Sequence, residues 1–396
     1  MAIPRGNGDT DSMSEPIVGF ATADGTQRFA ERFEGKKNIA KGHFRRPENP
    51  EGNESLILSS LGVGTYLGEP SFADDELMTQ AVVDSVSSGA VNVIDTAINY
   101  RYQCSERSVG RALQILMQQG FKRDELFVAT KNGFITPDAS VKEDFQTYFK
   151  REFVDTGIVQ KEDLASGMHC MSPRYLNHQL NKSLENLGLE TIDLMYLHNA
   201  PESQLPAIGR KEFMQRLKLA FEFYEKARAD GRIRYYGMAT WNAFRVMPTD
   251  DNQYLNLQTA FSLAHEVGGE KHGFRFIQLP FNLAFAEAVT MQGQPITMDG
   301  DVYQLSTLEA AMSMGVGVFT SVPLLQGQLL TQDRLPNFDN LDTPAQKCLQ
   351  FIRSHPGIIA PLVGHKQPEH VKDNLKAASV PPLEFKALQD LLAVKA

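Results

Sequence analysis

The sequence predicts an α/β fold in which eight parallel strands close into a (β/α)8 TIM barrel surrounded by helices. Short apolar runs rich in β-prone residues alternate with helical patterns from about residue 59 onward. This alternation is typical of repeated βαβ units around a parallel sheet. A chain of 396 residues also leaves room for a barrel core of about 250 residues with insertions. The predicted strands are residues 59–65, 91–97, 126–132, 192–198, 233–240, 274–280, 317–322 and 358–363.

Helical patterns separate most of these strands. An open, doubly wound sheet is built from the same units, but its nucleotide-binding fingerprint, G-x-G-x-x-G after the first strand, is missing here. Residues 61–65, Leu-Gly-Val-Gly-Thr, match only half of it. Eight units therefore favour a closed barrel. The predicted helices are residues 76–87, 106–119, 174–187, 213–229, 308–314 and 345–354.

Residues 1–55 form an N-terminal extension outside the repeating pattern. Asp24 and Gly25 lie between β-prone residues, and an Asp-Gly pair in that setting predicts a hairpin turn. A hairpin within residues 18–33 is expected to plug the N-terminal end of the barrel. Residues 36–55 are rich in charge, proline and glycine, which predicts a connector. Residues 56–396 then form the barrel itself, with a C-terminal helix.

A long insertion at residues 133–172 follows the third predicted strand. It contains several aromatic residues, among them Phe145, Tyr148 and Phe153. Loops of this length in compact domains tend to be functional. Residues 134–171 are therefore expected to contribute to specificity, together with residues 241–273 and 281–306.

The composition argues against several classes of protein. The net charge is −9 and the basic residues are scattered, which argues against a nucleic-acid partner. No apolar run reaches the roughly 18 residues of a membrane span, and the first residues lack the apolar core of a secretory signal. We therefore expect a cytoplasmic protein without membrane contact. His169 and Cys170 are adjacent but lack further ligands at zinc spacing, so no metal site is expected.

Four polar residues lie at or just after the ends of predicted strands. Asp95 lies near the end of the second strand and Tyr100 in the loop that follows, while Lys131 and His198 lie at the ends of the third and fourth strands. In a parallel barrel these ends form one rim, which carries the catalytic residues in characterised barrel enzymes. Each residue alone is more often structural, but the four together at matched positions favour catalysis.

The chemistry of these four residues is that of proton transfer to a developing alkoxide. A phenol has a pKa near 10 and is a poor acid at neutral pH, but an adjacent ammonium lowers that pKa. Lys131 is expected to act on Tyr100 in this way, and Asp95 to keep Lys131 charged and oriented. A neutral His198 is expected to hydrogen-bond the substrate oxygen. The set predicts carbonyl reduction without a metal.

Residues 56–380 resemble the aldo-keto reductase family. Residues 95–100, Asp-Thr-Ala-Ile-Asn-Tyr, and residues 105–110, Ser-Glu-Arg-Ser-Val-Gly, are similar to the family signature D-T-A-x-x-Y followed by S-E-x-x-x-G. Residues 129–131 and 193–198 are similar to the strands that hold the family's lysine and histidine. The resemblance implies an NADP-dependent oxidoreductase with a catalytic tetrad, which consists of Asp95, Tyr100, Lys131 and His198.

The resemblance also implies a nicotinamide cofactor, with NADP(H) preferred and NAD(H) as the alternative. Thr240 lies in a loop that usually reads Ser-Asn in the family, and Ser321 replaces an aromatic stacking residue. His370 stands where the family often has an arginine for the 2′-phosphate, while His365 and Lys366 offer further cations. The residues implied in cofactor binding are Gly64, Thr65, Tyr66, Asp95, Thr240, Trp241, Gln278, Ser321, Leu324, Gln326, Gly364, His365, Lys366, His370 and Asn374.

The expected activity is the interconversion of an aldehyde or ketone and its alcohol, with a small carbonyl compound or sugar as substrate. Two alternatives stay open: a sugar dehydrogenase that works oxidatively, and a cofactor-binding subunit with little turnover. Fold alone does not decide between them. The sequence predicts neither the physiological substrate nor the oligomeric state.

Overall fold

Eight parallel strands form a closed barrel in the computed structural model, which describes residues 15–36, 38–47, 55–332 and 335–393. The strands follow one another around the barrel in chain order, which confirms the predicted (β/α)8 architecture. The fourth and sixth strands have the predicted bounds. The barrel strands are β1 (Gly62–Gly64), β2 (Val93–Asp95), β3 (Phe127–Asn132), β4 (Ile192–His198), β5 (Ile233–Ala239), β6 (Phe274–Pro280), β7 (Gly317–Ser321) and β8 (Ile358–Gly364).

Helices surround the barrel, and all six predicted helices are among them. Some begin earlier than the periodic pattern does, because their caps lie upstream of it. One begins at Phe72, where the side chain of Ser71 caps the first turn by accepting a hydrogen bond from Asp74 N at 3.3 Å. No helix in the described ranges combines the length and apolarity needed to cross a bilayer. The helices are α1 (Ala23–Phe33), α2 (Phe72–Ser87), α3 (Cys104–Gln118), α4 (Phe145–Phe149), α5 (Pro173–Leu187), α6 (Ala200–Ala229), α7 (Leu257–Gly268), α8 (Glu287–Thr290), α9 (Thr307–Ser313), α10 (Pro344–Arg353), α11 (Pro368–Leu375) and α12 (Phe385–Ala393).

Short antiparallel pairs of strands lie outside the barrel. Within the described residues, Phe44–Arg45 pairs with Leu58–Ser59 before β1. Two further pairs lie at the C-terminal end of the barrel, in the loops after β3 and β6. They are Leu164–Ala165 with His169–Cys170, and Gln294–Met298 with Asp301–Leu305.

The inside of the barrel is filled by side chains that alternate along each strand. On β3, Phe127 and Ala129 belong to the interior cluster, and Lys131 continues the same face two residues later. On β4, Tyr196 belongs to that cluster and His198 follows it in the same way. Because side chains alternate with a period of two, the last inward positions of the strands lie together at one mouth of the barrel.

The N-terminal extension contains the helix α1 where the sequence predicted a hairpin, so that prediction is wrong. Thr22 is the N-cap of α1, and its Oγ1 accepts a hydrogen bond from Gly25 N at 3.0 Å. Gly25 therefore lies in the first helical turn and not in a β-turn. A Cβ on Gly25 would lie 2.1 Å from Asp124 O, so glycine here permits close packing of α1 against the segment before β3.

The extension still reaches the N-terminal end of the barrel, where Ala21 N donates a hydrogen bond to Asp193 Oδ1 at the start of β4. Ala21 packs into the interior cluster together with Leu56 and Leu58. Part of the predicted connector forms the strand Phe44–Arg45. Residues 1–14 of the extension, and residues 37 and 48–54 of the connector, lie outside the described residues.

The insertion at residues 133–172 folds around an apolar cluster of its own. It contains α4, a following π-helical turn and the strands Leu164–Ala165 and His169–Cys170. This small core lies beside α5, which contributes one tyrosine to it. Its buried members are Ile135, Tyr148, Phe153, Val159, Cys170 and Tyr175.

Candidate active site

The carboxylate of Asp95 and the ammonium of Lys131 meet at the C-terminal end of the barrel. Lys131 Nζ lies 2.6 Å from Asp95 Oδ2 and donates a second hydrogen bond to Thr96 O at 2.8 Å. Asp95 Oδ1 accepts a hydrogen bond from Gln278 Nε2 at 2.8 Å. Lys131 and Asp95 are both buried. Two charges are tolerated there because they are paired and hydrogen-bonded.

Tyr100 lies against this ion pair. The Nζ atom of Lys131 is 4.7 Å from the centroid of the Tyr100 ring. The ring centroids of Tyr100 and His198 are 6.0 Å apart, and those of Tyr100 and Tyr66 are 5.1 Å apart. The structure thus brings together the four residues that the sequence assigned to catalysis.

The loop after Tyr100 has an uncommon backbone conformation. Arg101, Tyr102 and Gln103 have φ values of 51°, 53° and 74°, and the left-handed region costs a residue with a side chain about 1–2 kcal/mol. The buried guanidinium of Arg101 holds the loop by an ion pair with Asp75 at the start of α2. Strain of this kind collects at functional sites, where the surrounding structure maintains it.

The pKa of Tyr100 differs from the sequence-based expectation. Burial raises it above its ordinary value, and Lys131 offsets this only in part. The predicted lowering is therefore wrong for the described structure, because desolvation of the phenolate outweighs the nearby ammonium. Burial acts to lower the pKa of Lys131, but Asp95 and Tyr100 raise it above its ordinary value. Lys131 therefore stays charged at neutral pH.

The imidazole of His198 is neutral at neutral pH, as expected. Burial lowers its pKa well below the ordinary value, and the positive charge of Lys131 acts in the same direction. Its Nδ1 atom has no hydrogen-bond partner among the described residues. The ring of Phe134 packs edge-on against the His198 ring, with centroids 5.2 Å apart. A neutral ring beside Tyr100 is suited to hold a carbonyl oxygen.

A cleft of about 760 Å³ opens beside these residues. Tyr100, Asp95 and His198 line it, while Lys131 lies behind them. Most residues that the resemblance assigned to a cofactor also line the cleft. They are Gly64, Thr65, Tyr66, Thr240, Trp241, Gln278, Ser321, Leu324, Gln326, Gly364, His370 and Asn374.

Neither His365 nor Lys366 lines the cleft, and neither is the free cation that the sequence predicted. His365 is buried, with its ring within 2.8 Å of Ser85 Oγ and 3.3 Å of Asn374 Nδ2. Burial lowers its pKa to about 4, so it is neutral at neutral pH. Lys366 Nζ forms an ion pair with Asp74 at 2.7 Å. The basic surface predicted here is therefore weaker than the sequence indicated.

The loop after β5 is held by Glu202, a residue that the sequence did not indicate. Its Oε1 atom accepts hydrogen bonds from the backbone N–H groups of residues 241–243, at distances of 2.6 to 2.9 Å. Successive N–H groups of this kind form an anion-binding concavity. Thr240, just before this loop, has a buried Oγ1 that lines the cleft without a partner in the described structure. No local pattern pairs Glu202 with so distant a loop.

Other residues that line the cleft were also missed. Asn99 directly precedes Tyr100, and its buried Oδ1 has no partner among the described residues. The position of Asn99 within the motif at residues 95–100 could have identified it from the sequence. Asp373, on α11, gave none. Of the loops predicted to set specificity, residues 281–306 contribute no lining residue, whereas residues 322–330 contribute several.

The described residues contain no group of three or more His, Cys, Asp or Glu side chains that could hold a metal ion. Cys170 packs in the core of the insertion instead. His169 lies with its Nε2 atom 2.8 Å from the backbone oxygen of His198.

Comparison with protein families agrees with this geometry. The sequence model of the Aldo/keto reductase family matches residues 60–263, which is 204 of the 396 residues. The matched segment contains Asp95, Tyr100, Lys131 and His198.

The chain is also similar to curated proteins. One is a Schizosaccharomyces pombe protein provisionally named a voltage-gated potassium channel subunit beta, 22% identical over 85% of this chain and 90% of that protein. Another is the NADH-specific methylglyoxal reductase of Escherichia coli, 26% identical over 50% of this chain and 53% of the enzyme.

Solved structures share the fold. An aldo-keto reductase of Bacillus halodurans, in its holo form, has a TM-score of 0.57 and 18% identity, and the match covers 89% of this chain and 95% of that one. An aldo-keto reductase of Klebsiella pneumoniae in complex with NADPH has a TM-score of 0.54 and 19% identity, over 90% and 95% of the two chains.

Proposed function

Because the chain belongs to the aldo/keto reductase family, we propose that it is an NAD(P)(H)-dependent oxidoreductase that interconverts an aldehyde or ketone and its alcohol. One observation carries the proposal. The Asp95–Lys131 ion pair, Tyr100 and His198 converge on one side of a cleft at the C-terminal end of the barrel. This end of the fold holds the active sites of barrel enzymes.

The cleft fits a nicotinamide dinucleotide. Its volume is in the range of pockets that hold ligands of this size, and it extends from Tyr100 to His370 and Asn374 on α11. The buried, unpartnered oxygens of Thr240 and Asn99 offer hydrogen bonds to a bound group. Structures of the fold in complex with NADPH support this assignment. When bound, the nicotinamide supplies or accepts a hydride at the substrate carbon.

The side chains of the site move and stabilise the proton. Tyr100 Oη gives its proton to the carbonyl oxygen in reduction and takes it back in oxidation. The ammonium of Lys131 stabilises the phenolate that forms, and Asp95 holds that ammonium in place. Neutral His198 donates a hydrogen bond to the carbonyl oxygen and orients it.

The proposal is tested by following NAD(P)H absorbance against aldehydes, ketones and sugars for the natural protein and for Tyr100→Phe. The variant is expected to lose at least about two orders of magnitude in turnover, the range for a general acid. It should bind NADPH with unchanged affinity, because the hydroxyl is small and other residues line most of the cleft.

Tyr102→Phe is the matched control, since Tyr102 is half exposed and does not line the cleft. Full turnover by Tyr100→Phe would show that the proton donor is assigned wrongly. Tight NADPH binding by the natural protein, without turnover of any compound in either direction, would support a cofactor-binding subunit instead. Turnover confined to sugars in the oxidative direction would favour a sugar dehydrogenase.

A further inference from the structure

His169, in the last strand of the insertion, is hydrogen-bonded on both sides of its ring. It is fully buried. Its Nε2 atom lies 2.8 Å from the backbone oxygen of His198, and a carbonyl oxygen can only accept, so Nε2 carries the proton. Its Nδ1 atom lies 2.8 Å from Gln204 Nε2. In the neutral ring Nδ1 accepts, and the amide of Gln204 donates to it.

The same ring also contacts the wall of the cleft. The ring of Phe134 lies 5.1 Å from that of His169 and 5.2 Å from that of His198, edge-on to both. Phe134 therefore packs against both imidazoles and, like Tyr100, lines the cleft. The preceding residue, Gly133, lets the His169 ring lie close to the backbone, because a Cβ there would lie 2.8 Å from His169 Nε2.

Backbone contacts fix the insertion around His169. Cys170 N donates to Gly133 O, and Ile135 N donates to Met168 O, each at 2.8 Å. The hydroxyl of Ser166 donates to the backbone oxygen of Ser203 at 2.7 Å, one residue before Gln204 in α6. The first two bonds hold the two ends of the insertion together, and the third ties the insertion to α6.

We propose that His169 is a positioning residue that sets the orientation of the His198 imidazole through the His198 carbonyl and the ring of Phe134. His169 does not line the cleft, so it acts through its neighbours and touches neither substrate nor cofactor. This gives the insertion a definite role: its last strand completes the support of the active site. The inference rests on the proposed function, in which His198 orients the carbonyl oxygen.

Two substitutions separate the hydrogen bonds from the packing. His169→Phe keeps a ring but loses both hydrogen bonds, whereas His169→Gln can donate to His198 O and accept from Gln204. We expect His169→Phe to lower kcat by about 10-fold to 100-fold and to raise KM for the carbonyl compound, because small misplacements in an active site cost rates of this size. The Kd for NADPH should not change, and His169→Gln should recover most of kcat.

His355→Phe is the matched control. His355 is likewise buried and bonds a backbone oxygen, that of Phe351, at 2.8 Å, but it lies away from the cleft. It should lower the melting temperature without a change in kcat or KM. Equal kinetic losses in His355→Phe and His169→Phe would overturn the proposal, since both would then reflect general destabilisation.

A second readout does not depend on turnover. In the full-length protein with labelled histidine, the side-chain NMR signals of His198 should shift in His169→Phe and return in His169→Gln. Unchanged His198 signals together with natural kcat in His169→Phe would overturn the inference. If the natural protein reduces no compound, the proposed function fails, but the His198 signals still test the contact. Should His169→Phe not fold, Phe134→Leu tests the contact that runs from His169 to His198 through the Phe134 ring. This variant should raise KM for the carbonyl compound.

Discussion

At the scale of single residues, Lys366, one of the cations expected near the 2′-phosphate, is already paired. Lys366 is bound to Asp74, and this contact holds the pKa of the Asp74 carboxyl below its usual range. Asp373 lines the cleft close to His370. No lysine or arginine in the described part of the chain lines the cleft. We therefore expect the balance between NADPH and NADH to depend on whether Lys366 is released from Asp74.

Asp74→Asn is expected to release Lys366 and to strengthen NADPH binding by about tenfold, close to 1.4 kcal/mol. NADH lacks the 2′-phosphate, so its Kd should stay within about twofold, which fluorescence titration of both cofactors measures. Asp84→Asn is the control. Asp84 lies on the same helix, and its carboxylate accepts a hydrogen bond from the side chain of Gln80. An equal gain for both cofactors would contradict a role for Lys366 at the 2′-phosphate.

At the scale of elements, the two ends of the barrel have separate tasks. The candidate site lies at the C-terminal ends of the strands, while Asp193 organises the opposite end. Asp193 Oδ1 accepts from Ala21 N at 2.6 Å, and Oδ2 accepts from Val128 N at 2.8 Å and from Arg123 at 2.6 Å. Both Asp193 and Arg123 are buried. One carboxylate thus ties the extension, the turn before β3 and the start of β4 together.

Arg123→Met is expected to lower the free energy of unfolding by about 3 kcal/mol, because it leaves the buried Asp193 carboxylate without its cation. Urea unfolding followed by circular dichroism measures this. Turnover per folded molecule should not change, since the substitution lies at the other end of the barrel. Glu266→Ala breaks the exposed Lys218–Glu266 pair and should cost less than about 1 kcal/mol. A change in kcat for Arg123→Met would show that the two ends are coupled.

At the scale of the whole molecule, histidine burial links stability to pH. Burial lowers the pKa of six histidines in the described structure, and in four of them to about 3 or 4. Three buried carboxyls have raised pKa values and act in the opposite direction. The histidines are His43, His169, His198, His272, His355 and His365, and the carboxyls are Asp95, Glu106 and Glu202.

The excess of histidines predicts acid destabilisation between pH 6.5 and about 4. In this window the histidines of the unfolded chain bind protons, whereas the buried histidines of the folded protein stay neutral. Their contribution to stability is therefore fully present above the unfolded pKa of 6.5 and falls as pH decreases. Each histidine contributes up to about 1.4 kcal/mol per pH unit. Urea unfolding at several pH values should show this dependence of the free energy of unfolding on pH. His355→Phe should reduce its slope by an amount that corresponds to at most one proton. A stability that is constant from pH 7.5 to 5 would contradict the prediction.

Local patterns were sufficient for much of the fold and for the centre of the site. Alternating apolar runs located β4 and β6 at their observed bounds. The polar residues that end such runs, Asp95, Lys131 and His198, share the inward face of their strands. A period of two carries each of them to the same mouth of the barrel. These features depend on residues a few positions apart, and a sequence shows those directly.

Contacts between distant segments were decided only by the tertiary structure. Gly25 looked like a turn residue, but it lies in the first turn of α1, where the backbone of Asp124 leaves no room for a side chain. His365 looked like a cation, but burial makes it neutral. Glu202 holds a loop some forty residues away. The sequence by itself determined the order and the inward face of the strands, whereas packing determined burial, and burial sets both the charge of a side chain and the room it has.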